Sequence, residues 1–169
     1  GDDHESWSID DRVIYGDPTA PGIWRELDAL RRQIFTHPLF GEMTIRAMCI
    51  DTGGHYTGET YNYVRGADRV YGIKGVPGEG KPLVGRPSVN NYGKIPLFPV
   101  GVHTAKELVY ARLRTKPGEA GYCHFPAGRA ASYFEGLTAE KLVTRYHKGF
   151  KRQEFIKTRA RNEPLDNRV

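Results

Sequence analysis

Apolar residues in this chain follow two rhythms, and the change from one to the other marks out its elements. From Glu5 to Tyr15 the run through Trp7, Ile9, Val13 and Ile14 has the alternating, β-branched character of a strand. Asp17 to Gly22 holds two prolines and a terminal glycine and predicts a turn. Ile23, Leu27, Leu30 and Ile34 then recur at helical spacing, with Arg25, Glu26, Arg31 and Arg32 facing the other way. That spacing predicts an amphipathic helix ended by His37-Pro38. Residues 44–50 form a short apolar run and read as a buried strand, with Asp51-Thr52-Gly53-Gly54 at its carboxyl end. Residues 57–65 read as a helix and 69–74 as a strand. Between 75 and 101 glycine and proline cluster, which predicts an irregular excursion extended only over 95–100. Thr104-Ala105-Lys106-Glu107 has capping-box spacing and predicts a helix through Leu113. A strand is expected over 121–125. Leu137-Thr138 is read as opening another helix, with Thr138 as its cap, Leu137 stapled onto Leu142 and Gly149 ending it. Residues 153–157 read as a last strand. Strands alternating with helices, without an internal repeat or heptads, predict a single α/β domain over 1–169.

Composition narrows the partners rather than the fold. With 38% hydrophobic residues a core is affordable, and a net charge of +5 suits a polyanionic partner. Cys49 and Cys123 lack CxxC spacing and a histidine pair at zinc distance, so both are expected as reduced core cysteines. No apolar run approaches the roughly 20 residues that span a bilayer, and no signal peptide is visible. A soluble, intracellular protein is expected.

The sharpest local feature is Asp51. A strand end fixes its carboxylate, and the glycines that follow let a ligand or another backbone approach. Such a carboxylate suits a nuclease, in which hard Mg²⁺ takes oxygen ligands from one or two acids and from substrate phosphates. Asp-Thr-Gly is also the triplet of aspartic proteases, whose chemistry needs a second, matched carboxylate. Asp-Thr-Gly-Gly further resembles a phosphate-binding turn of actin-like ATPases, which needs a second phosphate loop. The simplest reading makes Asp51 a cap and the glycines a turn.

The C-terminal segment carries a second signal. Lys141, Arg145, Lys148, Lys151, Arg152, Lys157, Arg159 and Arg161 follow one another with Glu154 the one acid among them, and lead into Asn162-Glu163-Pro164-Leu165-Asp166. Cations for phosphates beside clustered carboxylates are what a metal-dependent nuclease requires.

Taken in order, Ile50-Asp51-Thr52-Gly53-Gly54, Ile73-Lys74-Gly75, Thr104-Ala105-Lys106-Glu107, His124-Phe125-Pro126, Leu137-Thr138-Ala139-Glu140 and Arg161-Asn162-Glu163-Pro164-Leu165-Asp166 resemble the nuclease domain of lambda-like bacteriophage terminase large subunits. The resemblance runs from about residue 5 to the last residue. It implies an RNase H-like mixed sheet flanked by helices, acting as a Mg- or Mn-dependent endonuclease on concatemeric double-stranded DNA during genome packaging. Asp51 matches one acidic position of such a site and Asp166 another, so both are implied as catalytic metal ligands. Glu163, three residues before Asp166, is positioned to share its face at a helix start.

On this alignment Ser6 to Arg12 matches the family's third strand. The first catalytic aspartate and the first two strands are then expected upstream of Gly1, and the last helix is expected to continue beyond Val169. Asp10 and Asp11 do not replace the missing acid. No Walker A motif is present, so the resemblance is to the nuclease rather than to the ATPase.

Lys74 is a candidate to face phosphate or to hold a carboxylate. Lys148, Lys151, Arg152, Lys157, Arg159 and Arg161 are candidates for backbone contacts to DNA. His55, His124 and the trio Tyr56, Tyr61 and Tyr63 read as surface, packed and core residues respectively. The resemblance further implies a small terminase subunit and a portal protein as partners and the host cell cytoplasm as the setting. The alternative is a catalytically inactive DNA-binding or motor-interface module of the same machine.

Overall fold

The computed structural model describes residues 3–89 and 93–169. In chain order its elements are β1 (Ser6–Trp7), α1 (Pro21–Arg31), β2 (Ile34–His37), β3 (Gly41–Thr44), β4 (Met48–Asp51), α2 (Thr57–Gly66), β5 (Val70–Val76), β6 (Ser88–Val89), β7 (Pro96–Gly101), α3 (Val102–Arg112), β8 (Cys123–His124), α4 (Ala131–Leu137), β9 (Glu140–His147), β10 (Phe150–Lys157) and α5 (Glu163–Asp166). They gather into two compact units. One takes Gly1–Asp11, Val76–Leu83 and Gly101–Val169; the other takes Arg12–Gly75 and Val84–Val100.

The second of these units is built on a mixed four-stranded sheet in the order β4-β5-β7-β6. β4 and β5 run parallel, Met48 opposite Val70 and Asp51 opposite Ile73, and α2 supplies the crossover that parallel neighbours need. β6 and β7 run antiparallel. Tyr61 and Val64 of α2 close over Val70 of β5 and over Ile95 and Leu97, with Met48, Ile50 and Tyr63 at the margin. Gly72 makes this contact possible, because a Cβ there would lie 2.9 Å from Leu97 Cδ2. α1 begins with Pro21, whose fixed φ suits a first helical turn. Its Trp24 stacks on Tyr63, ring centroids 5.1 Å apart, and Tyr63 Oη donates to Asp28 Oδ1 at 3.0 Å.

The other unit joins distant parts of the chain. β1 pairs in parallel with β8, Ser6 opposite Cys123. Trp7 lies flat on His124 with ring centroids 4.6 Å apart. Val109 of α3, Tyr133 and Leu137 of α4 and Leu165 of α5 form its core, joined by Tyr110, Leu113, Phe125 and Val169. From this core β9 and β10 extend as a two-stranded antiparallel ribbon in register from Glu140–Lys157 to His147–Phe150. Phe155 anchors the ribbon by stacking on Tyr110 and meeting His103 edge-on.

Several expected elements take another form. The predicted helix over 138–149 is strand β9, and α4 ends at Leu137, where that helix was to begin. Gly149 is a hairpin residue rather than a helix stop. Lys148 and Gly149 both have positive φ, 49° and 82°, the two-residue pattern that follows the twist of a ribbon. The first predicted strand shrinks to Ser6–Trp7, and residues 10 and 11 lie exposed outside it. α1 stops at Arg31, and Ile34 instead opens the β2–β3 hairpin. The run 44–50 divides between the end of β3 and β4, which is half-buried rather than buried, so Cys49 is exposed while Cys123 is buried. Thr104 caps nothing: α3 begins at Val102, and Thr104 Oγ1 donates to the Lys81 carbonyl at 2.6 Å. Tyr61 is core as expected, whereas Tyr56 is exposed.

Candidate functional site

Asp51 closes β4, and its surroundings keep the carboxylate in place. The next residue, Thr52, is buried. Its backbone N–H and its hydroxyl both donate to the Ile73 carbonyl at 2.9 Å, which ties the β4 end to β5. Gly53 N–H then donates back to Asp51 Oδ1 at 2.9 Å. A Cβ on Gly53 would lie 3.2 Å from that oxygen, so glycine suits the turn by leaving room for the carboxylate. Thr57 Oγ1 donates to the Gly54 carbonyl at 2.8 Å and fastens the loop to the start of α2. Asp51 itself is exposed, with Oδ2 turned away from the turn's own hydrogen bond.

Lys74 is also exposed, one residue beyond the strand partner of Asp51. Successive strand side chains alternate between faces, so Lys74 projects from the face opposite Asp51 and Ile73. Among the described residues it takes part in no ion pair with Asp51. His55 is exposed in the loop after the glycines.

Asp166 lies in the other unit, and it is not alone. Lys106 of α3 is buried, and its Nζ stands 2.7 and 2.8 Å from Oε1 and Oε2 of the buried Glu140 at the start of β9. The same Nζ is 3.6 Å from Asp166 Oδ1. Asn162, also buried, donates through Nδ2 to Glu140 Oε1 at 2.8 Å and to Asp166 Oδ2 at 2.9 Å. Both neighbours are acceptors, so they fix which end of the amide points inward. Tyr110 Oη, donating to the Glu140 carbonyl at 2.7 Å, holds the same residue by its backbone. Burial first, and then the nearby Glu140 charge, raise the Tyr110 phenol above its ordinary range against the lowering effect of its backbone hydrogen bond with Glu140. Of the four polar side chains in the network, Asp166 alone opens to solvent, with 54% of its side chain exposed.

Glu163 does not share this arrangement. It pairs with Arg161 at 3.3 Å on the surface. Its carboxyl is held below the usual range first by a backbone hydrogen bond and then by the charges of Arg161 and Lys157.

The basic run expected to contact DNA lies mostly on the ribbon. Arg145 and Arg152 are cross-strand partners, as are Tyr146 and Lys151. Arg145 Nε meets Glu154 Oε1 at 2.8 Å. Lys148, Lys151 and Lys157 are exposed, and the tip carries Tyr146 and Phe150, each 74% exposed. Arg159 and Arg161 lie beyond the ribbon. Arg159 donates to the Glu135 carbonyl at 2.9 Å, and Arg161 is the partner of Glu163. Arg152 also lines a cavity of about 570 Å³ together with His103, Lys106, Glu154 and Phe155.

A family model described as terminase large subunit gpA, endonuclease domain, matches residues 1–169. This chain belongs to the terminase large-subunit endonuclease family. It is 31% identical over 179 residues to the large terminase subunit of Enterobacteria phage P21, covering 96% of this chain and 27% of that protein. It is 32% identical over 175 residues to the large terminase subunit of Escherichia phage lambda, covering 98% of this chain and again 27% of that protein. The terminase endonuclease chain therefore spans about a quarter of the length of these curated relatives. No solved structure matches it. No helix among the described residues is long and apolar enough to cross a membrane.

The sequence singled out Asp51 and Asp166 as candidates in this terminase domain; the structure adds Lys106, Glu140 and Asn162 as neighbours of Asp166. A helical wheel carries the signal for Lys106, which falls on one stripe with Val102, Val109 and Leu113. Glu140 follows Leu137 and Ala139, which are almost completely buried, so a charge there needs a partner. Among the described residues no three His, Cys, Asp or Glu side chains gather into one cluster. Asp51 and Asp166 each offer a solvent-facing carboxylate.

Proposed function

We propose that this domain cuts concatemeric double-stranded DNA during phage genome packaging, as the metal-dependent endonuclease of a terminase large subunit. The observation that carries this reading is the solvent-facing Asp166 carboxylate at the foot of the basic β9–β10 ribbon, joined to the first residue of that ribbon through Asn162. An RNase H-like architecture is supported by the parallel β4-α2-β5 unit with Asp51 at its carboxyl edge and by an acid at the start of a later helix.

Asp51 in one unit and Asp166 in the other are each proposed as a ligand of Mg²⁺ or Mn²⁺. When bound, such an ion supplies Lewis-acid stabilisation of the scissile phosphate and a nucleophilic water at neutral pH. The chain's own part is positioning. The turn at Gly53 and the Asn162 amide aim the two carboxylates. Lys148, Lys151, Arg152 and Lys157 on the ribbon, with Arg159 and Arg161 after it, neutralise backbone phosphates. Lys74, on the strand face opposite Asp51, is proposed to contact phosphate away from that carboxylate. Contacts of this kind fix the duplex without reading its sequence, so site choice falls to a small terminase subunit, with a portal protein as the motor's other partner and the host cytoplasm as the setting.

The test is plasmid nicking with Mn²⁺ by the full-length large subunit. Asp51→Asn and Asp166→Asn should each abolish cleavage without loss of folded protein. Full nicking by either variant would refute its assignment as a ligand. Absence of cleavage by the wild-type protein, with DNA binding retained, would favour a non-catalytic DNA-binding module.

A further inference from the structure

Asp166 shares its surroundings with a cation that belongs to the protein. Lys106 Nζ is 2.7 and 2.8 Å from the Glu140 oxygens and 3.6 Å from Asp166 Oδ1, so its charge is divided unequally between two carboxylates. Glu140 is buried and has no role towards solvent. Asn162 links the same two carboxylates through one amide nitrogen. A divalent ion approaching Asp166 therefore meets an ammonium already beside Oδ1, and Oδ2 already oriented by Asn162.

We propose that Glu140 is a positioning residue that sequesters the charge of Lys106, leaving Asp166 free to bind a divalent cation, with Asn162 fixing the direction of its carboxylate. The inference rests on Asp166 being a metal ligand, as argued under the proposed function. It follows from like-charge competition at short range between the buried Lys106 ammonium and an ion on the Asp166 carboxylate. Neutralising Glu140 leaves Lys106 with Asp166 as its remaining anionic partner in the network, and the ammonium then competes with the metal. Removing both charges at once removes the competitor as well. A purely structural role predicts otherwise, since the double substitution would be no better than the single one. Outer partners of metal ligands commonly change affinity by about 10- to 100-fold.

The experiment is Mn²⁺ titration by calorimetry on the full-length subunit without nucleotide, with a thermal melt on each sample. Glu140→Gln should weaken the Mn²⁺ affinity lost in Asp166→Asn by about 10-fold or more. Lys106→Met/Glu140→Gln should return it to near the wild-type value even where its melting temperature stays low. Asn162→Ala should weaken binding in the same direction, and it decides the matter if Glu140→Gln does not fold. If Asp166→Asn leaves Mn²⁺ binding unchanged, the ligand assignment itself falls. If Asp166→Asn abolishes binding while Glu140→Gln and Asn162→Ala leave it intact, or if the double variant stays as weak as Glu140→Gln, the positioning role is overturned and the ligand assignment stands.

Discussion

Gly136 in α4 lies so close to Pro164 in α5 that a methyl group on Gly136 would sit 2.7 Å from Pro164 Cδ. The proline ring is stiff and tied to the chain on both sides, so the helix rather than the side chain must give way. Gly136→Ala should cost about 1–3 kcal/mol by overpacking. It should also shift α5, and with it Asp166. Gly22→Ala is the control, because nothing lies within 4 Å of its Cβ position. Urea unfolding of both variants, read as midpoint shifts, checks the difference.

Lys106→Met should be the more damaging half of the buried pair. It leaves the Glu140 carboxylate buried without its counter-ion, and losses of this kind run to about 3–5 kcal/mol. Glu140→Gln should cost less, because an ammonium on a flexible stem has Asp166 within reach. Denaturant curves for the two variants should rank them in that order; the reverse order would mean that the pair is not what holds α3 to β9.

How much of this was legible in the sequence depends on where partners come from. Asp51 at the end of β4 followed from a short apolar run and two glycines, all local signals. Its partner strand followed from the Val70–Lys74 pattern. The ribbon did not. Residues 138–149 offer a threonine at a cap position and a leucine at a staple position, and these describe a helix well. The pairing that overrides them comes from residues 150–157, through register contacts such as Leu142 with Phe155. Lys106 and Glu140 were hidden for the same reason. Local pattern asks for a partner for each, but not which one, until the fold brings α3 and β9 together from 34 positions apart.

Acid should weaken the α1 region in one direction. Burial pushes the Asp28 carboxyl up, but hydrogen bonds from Tyr63 and Arg31 and the charges of Arg32 and Arg31 outweigh it and hold it below its ordinary range. Its contribution is fully present above the unfolded-state pKa and is lost as pH falls through the depressed folded value. Asp28→Asn should therefore destabilise the protein at neutral pH, and its disadvantage should shrink below about pH 4. Stability curves between pH 2 and 7 test the convergence; parallel curves would contradict it.

Salt should separate the ribbon's exposed lysines from its paired arginine. Lys148→Ala and Lys151→Ala should each weaken duplex binding to a similar degree on unrelated sequences, and each should lower the slope of log affinity against log salt by about 1. Arg145→Ala should change the slope less, because Glu154 already meets its guanidinium. Fluorescence titrations between 50 and 200 mM salt span the range over which such slopes are resolved.

The division of the chain between its two units also sets the order in which they are completed on a ribosome. The unit holding Asp51 ends at Val100, so its last residue is made before any of Gly101–Val169. The unit holding Asp166 draws on Gly101–Val169, so its earlier pieces are synthesised well before the rest of that unit. Vectorial synthesis thus lets the mixed sheet condense first around α2. β1 is left to find β8 across more than a hundred residues of chain, a closure made slow by its long sequence separation.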